Sequence, residues 1–418
     1  MDLYRVVAVV IVVAGHWLAA SVTFRGGRFG DQNVLAGMPW TQWLTLLFQV
    51  IPVFFLVAGY ANAASWSGWD GGWQGWLRHR LTAVLAPTTV YVGVMLATVA
   101  ALQWSAVDPS QLAFGAWAVA MHLWFLPVYL LLVSATPLAV AAHRRWGWVV
   151  PVGLVLTVGA VDIAVLAGGL PATGALNYLL GWAAVYQVGI AWFAGALRGW
   201  RPALLAAVSG VGLVFLIWLG RYPLSMVGVP GQAVRNTSPP NIALLAFSAA
   251  QAGLLVVAAP AVNARLRRLS RPHALATANS TAMALYLWHM VPVVLVAIAV
   301  YPIGLLPQSA LGSAAWWMTR FPWLGALALV TAVLLLLSVR VRARLARCAA
   351  TLTRRVSIRP SGPMLLAGAG MSALGLVRFA VDGFAPDGRF PAVTAVLFAV
   401  GVVLGTCARA QSSKQAAQ

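Results

Sequence analysis

Glutamate is absent from the 418-residue chain, and aspartate occurs only at Asp2, Asp31, Asp70, Asp108, Asp162, Asp382 and Asp387. Any mechanism built on a catalytic glutamate is therefore excluded. Lysine is almost missing as well, Lys414 being the only one. Charged residues make up 8% of the chain, where a soluble domain carries about a quarter. So few charges cannot cover a water-facing surface. Two cysteines, Cys348 and Cys407, are too few and too far apart for a zinc motif or a disulfide framework. No Gly-x-Ser-x-Gly elbow occurs, and no P-loop or dinucleotide fingerprint stands at a strand–helix junction. None of the six histidines opens an H-x4-D acyltransferase pattern. No metal site and no permanently bound cofactor are expected.

What is there is hydrophobic: 61% of residues, gathered in long runs. In a bilayer every backbone amide needs an internal partner, so apolar runs of about 20 residues are read as spanning helices. Ten strong runs occur: Leu3–Val22, Trp43–Ala64, Leu81–Trp104, Trp117–Ala141, Trp148–Gly168, Leu176–Leu197, Pro202–Gly220, Ile242–Val262, Thr277–Ile303 and Trp323–Val339. Two weaker runs follow, Met364–Val381 and Phe390–Cys407. The expected fold is an all-α polytopic transmembrane bundle, a ten-helix core with two appended C-terminal helices. The expected domains are 1–345 (core), 346–362 (a basic linker, read as lying on anionic headgroups), 363–408 (the appended pair) and 409–418 (a tail). The first run is read as an uncleaved helix, because Asp2 offsets Arg5 and many spans follow.

The formal charge of +20 does not point to nucleic acid, because the arginines sit in short groups between apolar spans. With the N-terminus inside, the cytoplasmic segments hold Arg5, Arg78, Arg80, Arg144, Arg145, Arg198, Arg201, four arginines over 265–271, seven over 340–359, Arg409 and Lys414. The outer segments hold Arg25, Arg28, Arg221, Arg235, Arg320, Arg378 and Arg389. Every even loop obeys the positive-inside rule. Both termini are expected in the cytoplasm of a multi-pass protein of the plasma (bacterial inner) membrane.

Ionisable residues inside spans are costly and mark candidate sites. Arg5 and His16 lie eleven residues apart, about three turns, and so share one helix face about 16 Å apart. His16 fits a general base acting on a hydroxyl, and equally a buried histidine bonded to a neighbouring helix. His289, in Ala284-Leu-Tyr-Leu-Trp-His-Met, fits an interhelical hydrogen bond or a pocket lining, Tyr286 being its near neighbour. His122 and Trp124, in His122-Leu-Trp-Phe-Leu-Pro, open the fourth span on its outer side. Trp124 also fits the interfacial belt there. Asp162 fits a local polar partner or a site. His143 and His273 flank arginines and are expected to be solvated. Arg78-His79-Arg80 precedes the third span, fitting either topological anchoring or phosphate, whose oxygens match a guanidinium fork.

Together these stretches resemble the membrane acyltransferase-3 family. That family's first helix carries a basic residue, ten residues, then histidine, as Arg5 and His16 do. Its second-helix phrase "vpvFFvlSGf" is matched by Ile51-Pro-Val-Phe-Phe-Leu-Val-Ala-Gly-Tyr60, its arginine motif by Arg78-His-Arg80 ahead of Pro87. Its "hlWFL" is matched by His122-Leu-Trp-Phe-Leu126, and its "lYliH" by Leu285-Tyr-Leu-Trp-His289. The resemblance implies acyl transfer, often of acetyl, from acyl-CoA or an acyl carrier to a hydroxyl of a sugar, glycolipid, polysaccharide or secondary metabolite. It implies a catalytic His16 with Arg5 as its basic partner, and Arg78 and Arg80 on the acyl-donor side. His122, Trp124, Tyr286 and His289 are expected to line the pocket. Two departures stand out: the arginines are spaced R-x-R rather than R-x-x-R, and Ala58 replaces the usual serine. The expected partners are acyl-CoA, a carbohydrate or glycolipid acceptor and the lipid bilayer.

Two rival readings differ in class. A multi-pass transporter or lipid flippase would move substrate without acyl-CoA dependence. A polyprenyl-phosphate-sugar glycosyltransferase favours acidic residues in a large first outer loop, where this chain offers only Asp31.

Overall fold

A computed structural model describes residues 1–269, 272–353 and 361–406. Each of the twelve apolar runs contributes helix among the described residues. In chain order these are α1 (Asp2–Ala19), a hairpin of β1 (Ala20–Arg25) and β2 (Arg28–Asn33), α2 (Ile51–Ser67), α3 (Trp73–Leu102), α4 (Pro109–Ala118), α5 (Phe125–Ser134), α6 (Thr136–Trp146) and α7 (Val149–Leu166). There follow α8 (Asn177–Phe193), α9 (Arg201–Trp218), α10 (Ile242–Leu269), α11 (Pro272–Trp288), α12 (Val291–Val300), α13 (Ala314–Thr353), α14 (Gly362–Asp382) and α15 (Ala392–Thr406). Among the described residues eight helices are long and apolar enough to cross a membrane. The number is ten when two bent pairs, α4 with α5 and α11 with α12, each count as one span. Helices α8 and α15 are shorter, at 17 and 15 residues. The chain is thus an all-α polytopic membrane protein.

The two largest clusters of buried side chains span most of the bundle. The first joins α1, α3, α4, α5, α11, α12, α14 and α15. The second joins α2, α5, α6, α7, α8 and α10. Trp66, Trp124, Phe125 and Tyr129 pack against both clusters yet are only half-buried. In the second cluster α2 and α8 touch backbone to backbone. A Cβ at Gly59 would strike the Tyr186 carbonyl, and one at Gly189 the Leu56 carbonyl. Glycine at both positions is what permits that approach.

The C-terminal pair is less separate than the sequence suggests. Leu365, Ala369, Leu376 and Phe379 of α14 and Phe398 of α15 are buried in one cluster with Leu81 and Tyr91 of α3 and Leu126 of α5. Of the expected basic linker, residues 346–353 continue α13, while 354–360 lie outside the described residues. So do the expected tail 409–418 and Arg271, as does the side chain of His273.

The hairpin was not expected. Its Gly26–Gly27 turn has φ of +56° and +78°, the left-handed pair that a two-residue connection between twisted strands requires. Its edges are tied down at three places. Phe29 N–H donates to Gln111 Oε1 (2.6 Å), Phe24 N–H donates to Gln308 Oε1 (3.1 Å), and Arg28 pairs with Asp108 (3.1 Å). Asp108 also caps α4 by accepting from Ser110 N–H at 2.8 Å. The Ser110 hydroxyl, then its amide, with Arg28 behind them, pull the Asp108 carboxyl down to about 2. Arg320, assigned from sequence to an outer loop, instead lies within α13 and is buried. It donates to Ala20 O at the end of α1 (3.0 Å) and lies 4.4 Å over the Trp316 ring.

Candidate functional site

Helices α1 and α11 run parallel, because their pairings keep step. Near one end Arg5 Nη1 donates to Asn279 Oδ1 at 2.9 Å. Eleven residues on, His16 Nδ1 meets His289 Nε2 at 2.7 Å. The shared face expected of Arg5 and His16 therefore looks at α11 rather than at lipid. The same geometry separates the two residues: Arg5 stays about three turns, some 16 Å, from the imidazole. It also approaches Asp2 at 3.7 Å.

The histidine pair has a defined proton arrangement. The two ring planes lie within 9° of each other. On its other side, His289 Nδ1 is 2.7 Å from Tyr286 O. A carbonyl only accepts, so His289 Nδ1 carries the hydrogen, and neutral His289 has its lone pair on Nε2. That lone pair accepts from His16 Nδ1–H. The free lone pair of the couple is then left on His16 Nε2. His289 is fully buried, while His16 is half-buried.

Two broken spans deliver these groups. The α11–α12 pair bends by 53° at His289 and Met290, and the α4–α5 pair by 47° ahead of and through a 3-10 turn, Met121–Trp124, that carries His122. Pro292 explains the first, because it lacks an N–H and crowds the Trp288 carbonyl, while Pro127 crowds the Leu123 carbonyl and favours the 3-10 turn that follows the second break. Broken backbone inside a membrane protein must be satisfied by protein groups. Here aromatic side chains do so. Trp17 Nε1 donates to His289 O (2.8 Å), Tyr286 Oη donates to His122 O (2.6 Å), and Tyr91 Oη donates to Val119 O.

The structure brings His122 to this site, not to the outer opening of a span. It is 2% exposed, its ring centroid lies 4.9 Å from that of His289 and 5.3 Å from that of Tyr286, and neither ring nitrogen makes a hydrogen bond of good geometry among the described residues. Trp124 is half-buried, with its ring against that of Trp182 (6.1 Å between centroids). Arg78 and Arg80 stand in the second turn of α3, inside the helix and half-buried, with His79 exposed between them and stacked on Trp69. Arg80 donates to Asn62 Oδ1 on α2.

Asp162 is a structural bracket. It accepts from Asn177 Nδ2 (3.0 Å), Tyr222 Oη (3.2 Å) and the Ile242 amide (2.7 Å), joining α7, α8 and the start of α10. His143, expected to be solvated, is buried, because α6 turns it inward, and burial lowers its pKa. Sequence reasoning missed Asn62, Asn279, Trp17 and Tyr91 as partners. It also missed both breaks, for which a signal existed: each site histidine is followed within five residues by proline, in His122-Leu-Trp-Phe-Leu-Pro127 and His289-Met-Val-Pro292.

Comparison with known proteins gives one family. A family model described as Acyltransferase domain matches residues 1–339, α1 through most of α13. No curated protein and no solved structure matches the chain. The match covers well over half of the 418 residues, including every histidine and arginine of the site, and the chain therefore belongs to the membrane acyltransferase-3 family.

Proposed function

We propose that this acyltransferase moves an acyl group, in the first instance acetyl, from acyl-CoA to a hydroxyl of a sugar, glycolipid, polysaccharide or secondary metabolite. The observation that carries the reading is the His16–His289 couple, whose free lone pair sits on His16 Nε2. His16 Nε2 takes the proton of the acceptor hydroxyl as its oxygen attacks the thioester carbonyl. The tetrahedral intermediate collapses, the carbon–sulfur bond breaks, and the departing thiolate receives the proton from His16. Ester and free thiol result, and the imidazole returns to its starting form. No covalent enzyme intermediate is needed. Throughout, His16 Nδ1–H keeps its bond to His289, so the ring does not rotate away between the two proton transfers.

The arginine-bearing end of the bundle is taken to face the cytoplasm, by the positive-inside pattern. Arg78 and Arg80 would hold the CoA phosphates there, with Arg5 orienting the donor, and the pantetheine arm would reach along α1 toward His16. His122, Trp124, Tyr286 and His289 would wall the reacting end.

The test uses cells carrying the intact chain or His16→Ala, matched for membrane expression. Mass spectrometry of envelope glycans and glycolipids should show an acyl-bearing species that disappears in His16→Ala. Purified protein should release free thiol from acetyl-CoA when that acceptor is added. Acylation retained in His16→Ala overturns the role of His16. Substrate movement across vesicles without thioester turnover overturns the enzymatic reading in favour of transport.

A further inference from the structure

Arg80 is held by an amide rather than a carboxylate, and the amide is in an unusual position. Asn62 lies on α2, is 0% exposed, and accepts from Arg80 Nη2 through Oδ1. Guanidinium only donates, so the amide orientation is fixed: Oδ1 toward Arg80, Nδ2 away. Nδ2 is then buried on the side of the Tyr186 hydroxyl, with no hydrogen bond of good geometry among the described residues. A leucine would fill the same volume without burying a poorly satisfied donor, so the bond to Arg80 is the strong polar contact this amide supplies. Its placement is rigid. Asn62 stands three residues beyond Gly59, where the α2 and α8 backbones touch, and so lies on the adjoining stripe of the helix.

Neutrality matters as much as position. The ion pairs among the described residues include Arg5–Asp2, Arg28–Asp108 and Arg378–Asp382, in which carboxylates face cations. Arg80 gets orientation from Asn62 without losing charge. An arginine fixed in this way keeps its full attraction for an anion while giving up little side-chain freedom when the anion arrives.

We propose that Asn62 is a positioning residue that holds Arg80 for the phosphate-bearing part of a nucleotide thioester, so that the Asn62–Arg80 pair sets the preference for a CoA-type donor over its phosphate-poor pantetheine fragment. The inference rests on the donor reading given above. In this arrangement a carboxylate at position 62 has the shape to keep the guanidinium in place but cancels its charge. A leucine removes the hold and keeps the charge.

The experiment is equilibrium binding of CoA and of pantetheine to the full chain in nanodiscs, over a range of salt concentrations. The wild type should prefer CoA, with affinity falling steeply as salt rises. In Asn62→Asp, CoA affinity should fall by about tenfold relative to pantetheine, and the salt dependence should flatten, as expected when one cation is neutralised. In Asn62→Leu, the CoA preference should fall by about threefold with the salt dependence retained. The leucine variant also keeps the test open should the carboxylate not be tolerated. Wild-type preference and salt slope in both variants would overturn the inference, as would equal loss of CoA and pantetheine, the signature of a merely structural residue. A wild type that binds pantetheine as well as CoA would instead overturn the donor reading, and this inference with it.

Discussion

A carbonyl oxygen settles where the protons of the site reside. Tyr286 O forces the hydrogen of His289 onto Nδ1, His289 Nε2 in turn forces that of His16 onto Nδ1, and the basic nitrogen faces away from both. On the proposed mechanism His289 acts through His16. His289→Ala should lower kcat by about a hundredfold while KM for acetyl-CoA moves by less than about threefold, and His289→Gln, whose amide oxygen can still accept from His16, should recover part of the loss. Steady-state kinetics of the three proteins checks this. Trp17→Phe leaves the His289 carbonyl without its donor and should cost about 1–2 kcal/mol, read as a lower Tm in detergent. Both histidines stood out in the sequence because ionisable groups in apolar runs are costly. Their pairing did not, since they lie 273 residues apart and only the packing of α1 on α11 brings them together. Arg5 illustrates the converse: its spacing to His16 was legible, and so was the separation of about three turns that keeps the two from acting on one atom.

At the scale of elements, helices were legible throughout, because a bilayer leaves an apolar run no other structure. Breaks within them were less so, since apolar residues continue across both kinks, and the prolines stand only nearby, Pro292 just after one and Pro127 past the 3-10 turn that follows the other. The β1–β2 hairpin escaped because a short polar loop carries no hydrophobic run, although Arg25-Gly-Gly-Arg28 is suitable turn chemistry. Its anchor should tolerate acid. The Asp108 carboxyl is held down at about 2, below its ordinary 3.8, so its contribution is complete above about pH 4 and is lost as pH falls through about 2. Hydrogen exchange over residues 20–33, corrected for intrinsic rates, should give equal protection at pH 7 and pH 4, and Asp108→Asn should lower it at both. Where α2 meets α8, Gly59→Ala should cost about 1–3 kcal/mol, seen as a lower Tm, because the new methyl meets a backbone carbonyl rather than a movable side chain.

For the molecule as a whole, the family match ends at residue 339, yet the core does not. Phe379 and Phe384, beyond the matched region, are fully buried, the latter in edge contact with Tyr91, whose hydroxyl holds the carbonyl beside the α4–α5 break. A chain ending at Thr353 should therefore lose its monodisperse peak in fluorescence-detected size exclusion, and a normal peak from that truncation would show the pair to be dispensable. Hydrophobicity alone could not reveal this dependence, because it reports that a segment prefers lipid and not which neighbour it chooses.

The strand that leaves α1 begins four residues after His16, and its hairpin is clamped to both Gln111 and Gln308. A displacement of this small ribbon would load the end of the first helix, about one turn from the imidazole. An antibody fragment that grips residues 20–33 and pries them from their clamps would act as an inhibitor from a distance, silencing the enzyme without entering its interior.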